Sequence, residues 1–373
     1  MPTSTTAILE FDRTLDVIGK GKELRDGLSV IVAIGNAVWV ANDETVSLER
    51  LELRGVDADG TQRYGGHRTF PLDDYLRLPV PVPKKRSRRQ DVEEADIEGL
   101  DYCDGHLWLI GSHSLKRARP EPGTSFRAGS QRLATVGSDG NRYLLARIPV
   151  DQATGLPARK VERGGRRLTA AQLRGDDEGS ELTEALVKDE HIGPFLETPG
   201  KDNGFDIEGL AVTGDRLFVG LRGPVLRGWS IVLELEVRRG GNRALRLKRI
   251  GRRGRPYRKH FLHLGGLGIR DLCVRGSDLL ILAGPTMDLD GPVRVLRWAG
   301  GAAPKRESLV FADGLDTVLE LPYGVGVDHA EGMALMMAGT AGAEALIVVY
   351  DAASAARQPG PSAMIADVFP LPG

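Results

Sequence analysis

Apolar residues in this chain recur in short alternating or continuous runs, each broken within about ten residues by Gly, Asp or Asn, a rhythm that predicts β-strands and tight turns. The clearest run, Asp96-Ile97-Glu98-Gly99-Leu100, leads through Tyr102 and Asp104-Gly105 into His106-Leu107-Trp108-Leu109-Ile110-Gly111. It recurs without a gap at an offset of 110 as Asp206-Ile207-Glu208-Gly209-Leu210, then Gly214-Asp215, then Leu217-Phe218-Val219-Gly220. A third copy, Gly268-Ile269-Arg270-Asp271-Leu272, lies a further 62 residues on and runs through Gly276-Ser277-Asp278 into Leu279-Leu280-Ile281-Leu282. His329-Ala330-Glu331-Gly332-Met333 begins another 61 residues later, with a longer turn before Ala345–Tyr350. A degenerate copy, Gly27-Leu28-Ser29-Val30-Ile31, precedes them all and brings the visible copies to five.

Each copy reads as a strand, a short Gly/Asp/Asn turn and a second strand, the signature of a β-hairpin. Thr45–Leu53, Tyr143–Val150, Ile231–Val237 and Val293–Trp298 alternate apolar and polar residues and follow the hairpins as further strands. Roughly four strands in each 60-residue repeat is the pattern of a propeller blade. Thr6–Phe11 and Ala363–Phe369 are both strand-like, so one terminus can complete the blade begun by the other and close the ring, removing exposed sheet edges. The expected fold is therefore all-β, a single β-propeller domain over residues 1–373. Five blades are favoured and six are possible, because the interval of 110 residues could hold one more repeat. Against the sixth blade, Leu168, Leu173, Leu182, Leu186 and Ile192 are spaced as on helices, which predicts a helical insertion around residues 165–197.

Composition adds little beyond this. Forty-eight glycines, about 13% of the chain and roughly twice ordinary usage, suit many tight turns. Lys plus Arg number 50 against 51 Asp plus Glu, so no net field points to nucleic acid or an anionic membrane as the partner. No apolar run approaches the roughly 18 residues of a membrane span. Met1–Thr6 lacks a basic start followed by an apolar stretch, so a cytoplasmic location is expected, with Cys103 and Cys273 reduced. The charge run Pro83–Arg89, followed by Asp91, reads as a solvated loop. Arg238–Lys259 is the better candidate for anion contact, although Leu245-Arg246-Leu247-Lys248-Arg249 has the spacing of a wet outer strand.

The Asp-Ile-Glu-Gly-Leu copies, Gly111-Ser112-His113-Ser114, and Lys201-Asp202-Asn203-Gly204-Phe205-Asp206 together resemble the bacterial domain-of-unknown-function 3616 family, from about Leu28 to Tyr350. That resemblance implies a propeller and lends no catalytic residues. The Asp-x-Glu-Gly-Leu start is also similar to that of phytase-like esterase propellers, a likeness of fold and motif that does not fix function.

In a propeller the start of each blade's first strand and the end of its second reach one face. Asp96, Glu98, Asp206, Glu208, Arg270, Asp271, His329 and Glu331 come from the starts; Asn42, Asp43, His113, Ser114, Arg222 and Thr286 come from the ends. Carboxylates gathered around a narrow opening repel one another and need compensation. A hard cation such as Ca²⁺ would suit Glu98, Glu208, Asp271 and Glu331 as all-oxygen ligands. Alternatively Arg270, Arg222 and His329 neutralise them as a salt-bridged ring. A bland role stands beside both: an acid repeated from blade to blade can accept hydrogen bonds from the next blade's backbone, while the Gly after it lets backbones approach.

Two functions follow. One is a propeller that binds a small molecule or a protein at the channel face without catalysis, through Asn42, Asp43, Ser114, Arg222, Arg270 and Thr286. The other is a calcium-assisted hydrolase of a phosphoester, ester or lactone, in which His113 or His329 moves protons. Whether the chain is an enzyme is left open. Ser114 has no nucleophile-elbow context, and Asp288-Leu289-Asp290-Gly291 has the look of a turn rather than a calcium loop.

Overall fold

The hairpin turns form as their residues require. Ile34 pairs with Ala37, Cys103 with His106, Thr213 with Arg216 and Arg275 with Asp278, so each of these turns has two residues. Gly35, Gly214 and Gly276 take positive φ at the first turn position, and Asp104 does so with Gly105 behind it, as such tight hairpin turns demand. The computed structural model describes residues 4–19, 21–82, 93–287, 289–338 and 343–371. The charge run at 83–89 and Asp288 lie outside the described residues.

Each hairpin grows into a four-stranded antiparallel ladder. The first repeat comprises Leu28–Ile34, Ala37–Asn42, Ser47–Val56 and Gln62–Pro71. The second comprises Ile97–Cys103, His106–Gly111, Leu145–Pro149 and Ala171–Leu173. The third adds Trp229–Arg239 and Tyr257–His263 to Asp206–Thr213 and Arg216–Gly223. Gly268–Arg275, Asp278–Gly284, Val293–Trp298 and Asp316–Leu321 form the fourth. The fifth runs His329–Ala338, Ala343–Asp351, Ala363–Pro370, and is completed by Thr5–Glu10 from the N-terminus, with Ala7 opposite Ala366. The sequence expectation that the two termini share one ladder is met.

The inner strands stand side by side, each against that of the next repeat and the fifth against the first. Apolar residues fill the gaps between successive ladders. Trp39 and Leu107 meet between the first and second, Leu145 and Leu217 between the second and third, Phe218 and Leu279 between the third and fourth. Leu282 and Leu346 meet between the fourth and fifth, and Ile347 and Val38 join the fifth to the first. A ladder buried on both faces reads as a near-continuous apolar run, which is why Leu279–Leu282 and Ala345–Tyr350 carry so few polar residues. The fourth motif position must be small where inner strands press together. A Cβ on Gly99 would lie 2.5 Å from the Leu210 Cβ, and one on Gly332 would lie 2.8 Å from the Val30 Cα. This is the close approach read from the sequence.

The helical insertion needs correction. Within 165–197 only Glu181–Leu186 is α-helical, with Leu182 and Leu186 buried one turn apart and Ser180 capping its start. Leu168 lies in a hairpin formed by Lys160–Arg163 and Arg166–Thr169, and Leu173 lies in the second repeat's outer strand. Helical spacing among widely separated leucines was coincidental there; strand pairing decides it. The longer helix, Phe126–Ala134, buries no residue and so leaves no apolar stripe to read. Among the described residues no helix is long and apolar enough to cross a membrane, and both cysteines are free.

Candidate ligand site at the channel mouth

A shared irregularity positions the site. In every repeat the inner ladder slips register across the third motif position, at Ser29, Glu98, Glu208, Arg270 and Glu331. Each of these residues is therefore the extra residue of a β-bulge, a device that re-aims a side chain and bends its strand. Plain alternation would leave such residues in the ladder. The bulge instead lets side chains from neighbouring repeats converge where the inner strands begin.

What converges is a chain of alternating charge. Arg270 Nη1 donates to Glu208 Oε2 at 2.9 Å and to Glu331 Oε1 at 2.7 Å. Arg222, from the end of its repeat's second strand, bonds both Asp206 and Glu208. Arg142 reaches Asp96 at 2.9 Å, donates to Ser114 Oγ at 3.0 Å, and also pairs with Glu94. Burial by itself would lower the pKa of all three guanidiniums, but the surrounding carboxylates outweigh it and raise them. Salt-bridged compensation is thus what the geometry displays, with Arg142 in the place expected of His329.

Two acids stand outside this pairing. Glu98 and Asp43 make no hydrogen bond or ion pair among the described residues. Burial, then repulsion from Asp96, Glu208, Glu331 and Asp43, holds the Glu98 carboxyl well above its usual range. Asp43 is raised in the same way, by burial and then by Asp96, Asp351 and Glu331. Asp206 is pushed up to about 6 by burial, against the pull of Arg222. Glu331 is pushed up to about 8 by burial, which with Asp351 and Glu208 outweighs Arg270. The unpaired acids and the arginine-paired set sit at one rim, so a cation arriving there can replace the protons that Glu98 and Asp43 hold.

The proposed metal ligands do not gather as a cage. Both oxygens of Glu208 and one of Glu331 are engaged by guanidiniums, and Asp271 is elsewhere. Asp271 occupies the fourth motif position, and its carboxylate accepts from the Met333 N–H of the next repeat at 2.7 Å and from Leu272 N–H at 2.7 Å. Asp101 does the same work for Val212 at 2.6 Å. The cross-blade role considered for the first and third positions belongs instead to these two acids, and to Ser29, whose hydroxyl donates to the Ile97 carbonyl at 2.7 Å. Among the described residues no three His, Cys, Asp or Glu side chains are arranged to hold a metal ion.

The remaining predicted residues divide. Asn42 is committed to its own loop, donating to the Leu24 carbonyl and accepting from Glu44 N–H, each at 2.8 Å. His113 is buried with positive φ, and its Nδ1 lies 2.9 Å from the Gly111 carbonyl. Burial lowers its pKa to about 4, no carboxylate contributes, and its Nε2 has no partner among the described residues. Ser114 is held by Arg142 and by Ser112, whose hydroxyl is 3.0 Å away. Thr286 is buried, and its hydroxyl has no partner among the described residues. His329 leaves the acid cluster and meets Asp290 at 3.0 Å. Missed by sequence reasoning were Arg142, in a turn outside the repeat, and Asp351, which ends a second strand and was open to the rule that found Arg222.

A ring of antiparallel ladders around a channel with a charged rim defines a propeller-like repeat protein. The chain belongs to the family described as protein of unknown function (DUF3616), whose model matches residues 27–367. The sequence has no match among curated proteins. Among solved structures it is similar to the PQQ-bound aldose sugar dehydrogenase of Streptomyces coelicolor, at 12% identity, TM-score 0.35 and 99% coverage of both chains. A putative oxidoreductase (glucose dehydrogenase) of Thermus thermophilus shows 14% identity and TM-score 0.32 over 98% of this chain and 100% of that one. Drosophila Semaphorin 1a shows 12% identity and TM-score 0.34 over 88% of this chain and 74% of that one. Overlap this low bears on no activity, and the architecture rests on the strand pairing above.

Proposed function

We propose that the chain is a five-bladed propeller that binds a small ligand at the mouth of its central channel without turning it over, with Glu98 and Asp43 receiving the ligand's cationic group. The carrying observation is the pair of unmatched carboxylates at a rim where Asp96, Asp206, Glu208 and Glu331 each have a guanidinium. Five ladders whose inner strands neighbour one another in a closed series support the reading of five blades. An ammonium or guanidinium group would relieve the mutual repulsion of Glu98 and Asp43, and Arg222 and Arg270 would orient an anionic group on the same ligand. The hydrolase reading loses support because His113 is neutral, buried and uncoupled from the acids, and because the calcium ligands it needs are occupied or displaced.

Thermal unfolding across pH, with agmatine or Ca²⁺ as probes, tests this. Glu98 is protonated in the folded chain at pH values where the unfolded chain has already ionised. Its contribution is therefore complete at and below the ordinary carboxylate range and is lost as pH rises towards the folded value. Glu98→Gln should flatten that decline. Agmatine should raise the unfolding temperature of the wild type most at pH 8, and should not do so for Glu98→Gln or Asp43→Asn. No agmatine effect on the wild type would sink the cation site. Stoichiometric calcium together with phosphatase, esterase or lactonase turnover would replace it with the hydrolase.

A further inference from the structure

Among the described residues, positive charge collects in a cleft where carboxylates do not pair with it. A cleft of about 970 Å³ opens between the second and third repeats, beside the hairpin turns Asp104-Gly105 and Gly214-Asp215, at the end opposite the acidic mouth. Its lining includes six arginines: Arg147, Arg163, Arg166, Arg167, Arg238 and Arg239. They come from three directions, namely the second repeat's third strand, the Lys160–Arg163/Arg166–Thr169 hairpin, and the end of the third repeat's third strand. Among the described residues none of the six pairs with a carboxylate, and Arg239 donates only to the Arg167 carbonyl, at 3.1 Å. Asp215, at the edge of the cleft, is taken up by Lys248 instead. Elsewhere in the protein arginines such as Arg63, Arg258 and Arg297 each find an acid.

Buried donors point the same way. Arg147 Nε and Arg163 Nη1 are shielded from solvent without a hydrogen-bond partner among the described residues. His106, 4% exposed on the same wall, has an unpartnered Nε2. Trp108 lies under Arg147, with the guanidinium carbon 5.2 Å from the ring, so that cation is held in place rather than free to swing away. Leaving buried polar atoms unsatisfied and like charges crowded both cost stability, and a polyanion removes both costs at once.

We propose that this cleft binds a small molecule carrying two or more phosphate groups. Guanidinium forks match phosphate oxygens two at a time. Arginines on facing walls need more than one anionic group to be satisfied together. The volume is that of a pocket for one small ligand rather than a track for a polymer. A single concavity between two repeats, rather than a stripe along the surface, also sets aside a nucleic acid.

Isothermal titration with inorganic tripolyphosphate, at 50 and 200 mM salt, tests the assignment. Binding of one equivalent is expected, weakened about tenfold or more in Arg163→Gln and again in Arg239→Gln. Both residues lie outside the core, and thermal unfolding should show that both variants fold. Arg294→Gln, which breaks an exposed pair with Glu320 elsewhere on the surface, should bind as the wild type does. Loss of binding in the control as well, absence of binding to the wild type, or several equivalents held only at the lower salt would each overturn the proposal. Tighter binding of a single-stranded oligonucleotide, with a site size of several nucleotides, would also overturn it by making the cleft part of a nucleic-acid surface.

Discussion

Replacing Arg270 by Met will lower the free energy of unfolding by about 3–5 kcal/mol, the loss usual when one partner of a buried ion pair is removed and the other stays. Arg270 is buried, and one of its nitrogens serves Glu208 and Glu331 together. Glu208 keeps its direct bond to Arg222 in the variant, whereas Glu331 loses its ion pair and is left with Asp351 and Glu208 against the weaker pull of Arg222. The deficit must therefore depend on pH through Glu331. Its carboxyl already titrates at about 8, and removing a guanidinium that pulls it down will raise it further. The folded variant then holds a proton that the unfolded chain has released, so stability falls as pH rises from the ordinary glutamate range through the folded value. Urea unfolding followed by tryptophan fluorescence should show a larger deficit at pH 9 than at pH 5. Adding Glu331→Gln should recover part of the loss, since an amide can be buried without an uncompensated charge. A deficit below about 1 kcal/mol with no pH dependence would mean that Arg270 does not bridge the two glutamates in solution.

Much of the architecture was legible because it is written locally. Two-residue turns with Gly or Asp at positive φ, flanked by apolar runs, identify the inner hairpins, and Val293–Trp298 was placed to the residue. The glycine at position four signals strand contact because a Cβ has nowhere to go at Gly99 or Gly332. What failed depends on contacts remote in sequence. Leucines at 168 and 173 satisfy a helical spacing and a strand pairing equally, and only the partner strands, Lys160–Arg163 for Leu168 and Leu145–Pro149 for the strand that holds Leu173, select the second. The bulge cannot be read from a single copy, because a bulged and a regular strand share the same alternation until the partner's register is known. That hidden residue explains why Asp271, one position beyond Arg270, seemed to belong with the channel carboxylates and instead faces the next repeat. Arg142 belongs to no repeat unit, so no internal comparison could have raised it. The arginine cleft divides among three segments, of which only Arg238–Arg239 fell inside a stretch already noticed as basic.

Asp271→Ala will cost about 2–4 kcal/mol, because it strips the acceptor from two buried backbone N–H groups at once. The side chain is 3% exposed, and its oxygens receive Met333 N–H from the fifth repeat and Leu272 N–H from its own strand, both at 2.7 Å. One carboxylate thus sets the spacing of two inner strands. Met333 packs into the apolar layer between the fourth and fifth ladders, so that junction should loosen first. Amide exchange at Met333 is expected to quicken in Asp271→Ala while Val212, held by Asp101, exchanges as before. Asp271→Asn keeps one acceptor oxygen and should lose less. Burial holds the wild-type carboxyl well above its usual range despite those two hydrogen bonds. The folded wild type therefore retains a proton that the unfolded chain gives up, and its stability declines as pH climbs above the ordinary aspartate value. Asn cannot ionise, so its deficit relative to wild type should be smaller at pH 8 than at pH 5. If Asp271→Ala falls within about 0.5 kcal/mol of wild type and Met333 keeps its protection, the acid does not hold the repeats together. Its carboxylate would then be available to turn towards the channel, as the ungapped repeat alignment first suggested.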